Sequence, residues 1–219
     1  MSKPYVIGVT GGSGSGKTTF IQLLKERFEV GELCVISQDN YYKPRTEQSW
    51  DQNKIQNFDL PDSFRRKEFS SDVKQLIQGK PIEVSEYTFN NPNAAARMLS
   101  FEPAPIIILE GIFVFYYEEI FELMDLRLFI EVEEHLKIIR RIKRDAEERN
   151  YPLEDVLYRY QNHVYPTFER YILPYREKAD MVINNNQHFN PSLEVIALFL
   201  RKKLELQQHG IQSLHHPLT

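Results

Sequence analysis

The chain has 219 residues, and 27 Lys and Arg against 31 Asp and Glu leave a net charge of −4 with histidine neutral. Charged residues at 26% and hydrophobic residues at 42% are globular values that exclude a disordered or collagen-like chain. The mild acidity argues against a general nucleic-acid binder, which needs a basic excess to neutralise phosphates. The single cysteine, Cys34, leaves no intrachain disulfide framework and no CxxC metal site. No apolar run approaches the roughly 18 residues of a membrane helix, and the N-terminal segment lacks the long apolar run of a signal peptide. The expectation is a soluble, cytoplasmic protein.

The first apolar run, Tyr5–Thr10, reads as a short strand. Directly after it, Gly11-Gly12-Ser13-Gly14-Ser15-Gly16-Lys17-Thr18 matches G-x-x-x-x-G-K-[ST] at every fixed position. Phe20, Leu23, Leu24 and Phe28 then predict a helix over Lys17–Phe28. In this strand–loop–helix setting glycines let the backbone wrap an anion, and successive N–H groups face it. Lys17 can bridge the terminal phosphates and the Thr18 hydroxyl can ligate Mg²⁺. Residues Gly11 to Thr18, with Thr19, are therefore the candidate nucleotide-binding residues. A guanine-switch signature is not met, because Asn53-Lys54-Ile55-Gln56 lacks the final aspartate.

Leu33–Ser37 is the second strand, and Asp39 emerges after it at the same sheet edge. A kinase acting on a hydroxyl needs a carboxylate there to accept or orient the proton. Asp-Asn is also common turn chemistry, and the pattern alone leaves both readings open. From Tyr41 to about Pro61 the chain is polar and aromatic with little periodicity. A helix follows over about Arg65–Gln78; then Ile82–Phe89 and Met98–Phe101 flank Asn90-Asn91-Pro92-Asn93 and read as a β-hairpin with a long loop. Residues 41–103 are expected to form an insertion that shapes a substrate pocket.

Ile106–Glu110 is a near-continuous apolar run of the kind found in strands covered on both faces. It ends in Glu110, like the acid of a Walker B strand, which favours metal duty. Leu126–Glu131 is a fourth strand. A helix over Leu136–Arg149 carries Lys137, Arg140, Arg141, Lys143, Arg144 and Arg149. Guanidinium groups can neutralise charge on transferring oxygens, so residues 137–151 are an expected lid. A solvated face offset by Asp145, Glu147 and Glu148 is the other reading. The aromatics of Tyr158–Tyr175 are expected in the core, with Pro166 and Pro174 kinking or ending that element. His163 is expected packed or solvated rather than a ligand, and Cys34 buried. Asp180–Asn184 is the fifth strand, a helix runs from Asn190-Pro191 to near Gly210, and Ser213–Thr219 is an expected frayed tail. The fold class is α/β: a P-loop NTPase-type parallel five-stranded sheet flanked by helices, with an inserted β-hairpin region and an Arg-rich helical lid, in one domain.

Taken in order, these pieces resemble the uridine kinase family of P-loop nucleoside kinases. Besides the loop, the resemblance is carried by Ser37-Gln38-Asp39-Asn40-Tyr41-Tyr42, Asn57-Phe58-Asp59-Leu60-Pro61-Asp62-Ser63-Phe64, Tyr87-Thr88-Phe89, Glu110-Gly111-Ile112-Phe113 and Arg140-Arg141-Ile142-Lys143-Arg144-Asp145, and it runs from about Tyr5 to Asn184. It implies Mg²⁺-dependent transfer of the γ-phosphate of ATP or GTP to the 5′-hydroxyl of uridine or cytidine. Asp39 resembles the catalytic base and a Mg²⁺ neighbour, and Thr18 and Glu110 the other metal-associated residues. Asp59 is similar to the aspartate holding the ribose hydroxyls, and Tyr42, Tyr87 and Phe89 to the aromatic lining of the nucleoside site. Arg141 matches a substrate-side arginine; Arg144 and Arg149 match lid arginines near the phosphates, Arg144 joining Lys17 and Asp39 in catalysis. The implied partner is a small-molecule nucleoside, with no nucleic-acid polymer and no membrane, and the implied assembly a homo-tetramer. Departures fall where the base is read. The loop after Tyr87-Thr88-Phe89 has no histidine, Leu60 replaces another, Tyr151 stands for an arginine and Arg159 for a glutamine. Another small alcohol as acceptor is thus an alternative, and a non-catalytic nucleotide-binding protein is a third.

Overall fold

The computed structural model describes residues 3–88, 95–149 and 152–208, apart from the side chains of 146–149 and 208. In chain order the elements are β1 (Tyr5–Thr10), α1 (Lys17–Lys25), β2 (Leu33–Ser37), β3 (Ser49–Trp50), β4 (Gln56–Asn57), α2 (Arg66–Ile77), β5 (Ile82–Ser85), β6 (Met98–Phe101), β7 (Ile106–Glu110), α3 (Glu118–Phe121), β8 (Leu126–Glu131), α4 (Glu134–Arg149), α5 (Leu153–Arg159), α6 (Tyr165–Thr167), β9 (Met181–Asn184) and α7 (Asn190–Gln208). The five expected strands form one parallel sheet in the order β2-β7-β1-β8-β9.

Successive strand residues point to opposite faces, so the apolar runs feed two cores. Val6, Ile36, Ile107, Leu109 and Phe129 meet Phe69, Val73 and Leu76 of α2 on one face. Ile7, Val9, Ile108, Leu128 and Ile130 meet Phe20 and Leu24 of α1 and Leu193, Ile196 and Leu200 of α7 on the other. Burying each such side chain fully stabilises by about 1.5–3 kcal/mol. Cys34 is one of the core residues, and burial pushes its thiol up to about 11. The sheet places the first connection after β1 at the central strand, with β2 and β7 to one side and β8 and β9 to the other. Ligands of open parallel sheets bind at such a switch point, outside the carboxyl ends of the strands.

Several boundaries differ from expectation. Helix α1 stops at Lys25, because Arg27 and Phe28 donate to Leu24 and Lys25 and tighten the end into 3₁₀ turns. The first hairpin arm is Ile82–Ser85, paired from Ile82↔Phe101 to Ser85↔Met98, and residues 86–88 are not part of the strand. The polar stretch after Tyr41 holds an unexpected two-residue hairpin, β3–β4, closed by Lys54 at φ 59°. Beyond α5 the helix widens into π turns at Tyr160–Val164 and Phe168–Ile172 on either side of α6, then tightens to a 3₁₀ stretch at Leu173–Lys178. Pro166 lies in α6 between the two wide turns, and Pro174 near the start of the 3₁₀ stretch. Residues 209–219, with the expected frayed tail, lie outside the described residues.

Candidate active site

The Gly11–Thr18 loop leaves β1 at the centre of the sheet and turns into α1. Gly14 and Gly16 adopt φ 81° and 93°, the left-handed region that a side chain disfavours. Space forbids a side chain as well. A β-carbon on Gly14 would lie 2.7 Å from the Lys137 carbonyl, and one on Gly16 would lie 2.4 Å from the Asn185 carboxamide nitrogen. That carboxamide donates to the Ser15 carbonyl at 2.8 Å, so the end of β9 clamps the loop. Lys17 is buried and donates to the carbonyls of Gly11 (3.0 Å) and Gly12 (3.2 Å). Burial lowers its pKa, partly offset by Glu110 and Asp39.

The acids stand at the same edge. Ser37 and Glu110 are partners in the parallel ladder between β2 and β7. The Ser37 hydroxyl donates to Glu110 Oε2 at 2.7 Å and accepts the Asp39 N–H at 3.3 Å. One serine thus ties the two acids together and caps the 3₁₀ turn Gln38–Tyr41 that carries Asp39. Beneath it, Gln38 is fully buried and accepts the Phe113 N–H at 3.0 Å, packed so close that a β-carbon on Gly111 would meet it at 2.4 Å. Burial, then the charge of Asp39, raises the Glu110 carboxyl, against the pull of Lys17 and Ser37. Two acids that repel each other in a dry corner form a site to which a cation is attracted.

A cleft of about 650 Å³ runs from the loop across these acids. Ser13, Gly14, Gly16, Lys17, Thr18 and Thr19 line it at one end, and Asp39 and Glu110 lie on its wall. Tyr42, Asp59 and Tyr87 line it too, so the predicted acceptor residues share one cavity with the loop. Gly11, Gly12 and Ser15 are off the wall and form the turn behind it. The Tyr42 and Tyr87 rings lie 5.0 Å apart at 33°, and Tyr42 rests on Phe64 at 4.0 Å. The Tyr42 phenol is raised well above its ordinary value by burial and then by Asp39 and Asp59. Asn57 holds Asp59 in a turn, its Oδ1 accepting the Asp59 N–H at 2.9 Å. Phe89 lies outside the described residues.

Helix α4 covers the loop. Arg141 is buried; its Nη1 donates to Ser13 Oγ at 3.1 Å, and its Nε lies 3.2 Å from Asp145. Expected on the substrate side, it stands between the loop and Tyr42, whose phenol feels its charge. Arg144 reaches the cleft and pairs with the buried Asp145 at 3.0 Å. Arg149 sits on the last turn of α4, its side chain outside the described residues. Lys137 is buried over the Phe168 ring and pairs with Glu134. Sequence reasoning missed Ser37, Asn185 and Asp145. Ser37 could have been found from the register, since it ends one strand as Glu110 ends its neighbour. Nothing local marks Asn185. His163 packs as expected, its Nε2 2.8 Å from Asp51.

The glycine loop with Lys17, the two acids at the sheet edge and the tyrosine-walled chamber thus share one cleft. That arrangement defines a P-loop kinase. Residues 6–190 match the model of the Phosphoribulokinase / Uridine kinase family, and the chain belongs to that family. It is 37% identical over 196 residues to a uridine kinase of Borrelia garinii subsp. bavariensis, covering 90% of this chain and 94% of that one. It is 33% identical over 201 residues to uridine-cytidine kinase B of Dictyostelium discoideum, covering 92% and 83%. Phosphoribulokinase from Rhodobacter spheroides shares the fold at TM-score 0.60 and 16% identity, over 84% of this chain and 71% of that one. Among the described residues no helix is long and apolar enough to cross a membrane.

Proposed function

We propose that the protein transfers the γ-phosphate of ATP or GTP to the 5′-hydroxyl of uridine or cytidine. The observation that carries this reading is the single cleft that joins the loop, Asp39 and the Asp59–Tyr42–Tyr87 chamber. Names of the relatives point the same way. The loop N–H groups and Lys17 hold the phosphates, Asp59 takes the ribose hydroxyls, and the tyrosines wall the base. Asp39 orients the 5′-hydroxyl and accepts its proton as the oxygen attacks phosphorus. Arg144 and Arg141 neutralise charge on the transferring oxygens, with α4 acting as a lid that excludes water. Arg149 and Phe89 are assigned to phosphates and base by resemblance alone.

The acids fit Mg²⁺. Among the described residues no group of three or more His, Cys, Asp or Glu converges on a metal site. Asp39, Glu110 and the Thr18 hydroxyl are the residues that would hold it. Such an ion would supply neutralisation of the phosphate oxygens.

Asp39→Asn tests the assignment. Turnover is expected to fall by roughly 100- to 10,000-fold, while ATP titration shows binding retained. Near-normal turnover in a coupled ADP-release assay would remove Asp39 from the base role. An acceptor panel in which uridine and cytidine stay inert while another alcohol reacts would overturn the nucleoside assignment.

A further inference from the structure

His163 is 1% exposed and takes no part in the chemistry above. It sits on the wide turn Tyr160–Val164 that continues α5. The turn aims the imidazole at Asp51, which starts the connection between β3 and β4, and Nε2 lies 2.8 Å from Asp51 Oδ2. A carboxylate only accepts, so Nε2 carries the proton and donates it. Nδ1 has no hydrogen-bond partner among the described residues, which leaves Asp51 as the polar contact of the ring.

Asp51 gathers the seam between α5 and the insertion. The same Oδ2 accepts the Tyr158 hydroxyl at 2.7 Å, and Oδ1 accepts the Ile55 and Asn53 amides at 2.8 and 2.9 Å. One oxygen thus holds α5 and its wide extension, and the other shapes the hairpin turn. Four residues before His163, Arg159 Nη1 donates to the Gln56 carbonyl at 2.9 Å. Gln56 pairs with Trp50 across the hairpin and leads through Asn57 to Phe58 and Asp59. Phe58, Asp59 and Arg159 line the cleft, so this seam forms part of its wall. Strands β3 and β4 have two residues each, and Trp50 is 63% exposed, so little apolar packing holds the hairpin in place. A hairpin that short has little stability of its own. We infer that His163 is a positioning residue of the acceptor site: through Asp51 it holds the hairpin against α5 and so fixes Asp59 in the cleft wall. This rests on the reading in which Asp59 holds the acceptor.

The test measures kcat and the separate KM values for nucleoside and ATP in the full chain, in His163→Phe and in His163→Gln. Phenylalanine keeps a flat ring without the donor, and the glutamine carboxamide can bring an N–H to where Nε2 stands. His163→Phe is expected to raise the nucleoside KM roughly 10-fold, the size expected of one hydrogen bond to a charged group. Its kcat and its KM for ATP are expected to stay near wild type, the pattern of lost uniform binding. His163→Gln is expected to restore the nucleoside KM. A merely structural role would lower the urea midpoint without separating the two KM values. An unchanged nucleoside KM in folded His163→Phe, an ATP KM that rises with it, or a glutamine variant as impaired as the phenylalanine one overturns the role of His163 and leaves the nucleoside-kinase reading intact. If His163→Phe does not fold, Tyr158→Phe, which takes one hydroxyl from the same carboxylate oxygen, decides by the same split. If both nucleosides are inert and another alcohol reacts, the nucleoside reading falls and the split is read with that alcohol. Wild type that binds ATP and phosphorylates no acceptor overturns both.

Discussion

Ser37 shows how much chemistry one small side chain can organise. Its hydroxyl satisfies Glu110 and the Asp39 amide together, so the distance between the two acids depends on it. The raised Glu110 carboxyl sets a sign for pH dependence. If the ionised form of Glu110 is the working one, activity fails as pH falls through that raised value. The acid limb of kcat/KM, which reports the free enzyme, is then expected above the ordinary glutamate value of about 4.3. Ser37→Ala removes a hydrogen bond that favours the carboxylate and is expected to move that limb higher. It should also cost roughly 10- to 100-fold in kcat/KM, given about 1.5–3 kcal/mol for a hydrogen bond to a charged group. A pH–rate profile of both proteins checks the direction; an unmoved limb removes Ser37 from this role.

At the scale of elements, Asp51 of the β3–β4 turn is the hub of the insertion. Burial is the largest single influence on its carboxyl and pushes the pKa up. The Ile55 amide, Tyr158, His163 and the Asn53 amide together outweigh it and hold the value below the carboxylate range. Stability drawn from a depressed carboxyl is complete above its unfolded pKa, about 3.9, and is lost as pH falls through the folded one. Asp51→Asn is therefore expected to lower the urea midpoint at neutral pH, and the gap to wild type should close in strong acid. A gap that stays constant with pH would place the effect elsewhere. This hub was not legible in the sequence, because a two-residue strand has no periodicity and the side-chain partners Tyr158 and His163 lie more than a hundred residues away. The sheet was legible for the opposite reason: Ile106–Leu109 contributes to both cores, and the glycine loop announces its own chemistry. Arg159 was visible only as a departure; its place in the cleft depends on how α5 meets β4. The wide turns around Pro166 are likewise a tertiary outcome, in which packing overrides the rule that proline ends a helix.

The whole molecule separates its work by sheet face and sheet edge. Helix α7 covers the face shared with α1, and the cleft opens at the carboxyl edge. Leu200 is fully buried in that core. Leu200→Ala is expected to cost about 2–5 kcal/mol in urea unfolding, while the KM for ATP of the folded protein changes little. A large KM change with little loss of stability would contradict that division. Charge follows the same plan. The net −4 is an average, and five cations, Lys17, Arg140, Arg141, Arg144 and Arg159, face three acids, Asp39, Asp59 and Glu110, around the cleft. An acidic protein thus offers a small anion a basic cleft.

The clamp of Asn185 on the Ser15 carbonyl has a consequence for how the protein is made. The two residues are 170 positions apart, and the missing side chain of Gly16 leaves room for that carboxamide. A ribosome releases the loop early and the clamp late. Until β9 has emerged and joined the sheet edge, the loop lacks the strut that holds its shape. A fragment that stops short of Asn185 would thus carry the entire phosphate motif without the strut that shapes it.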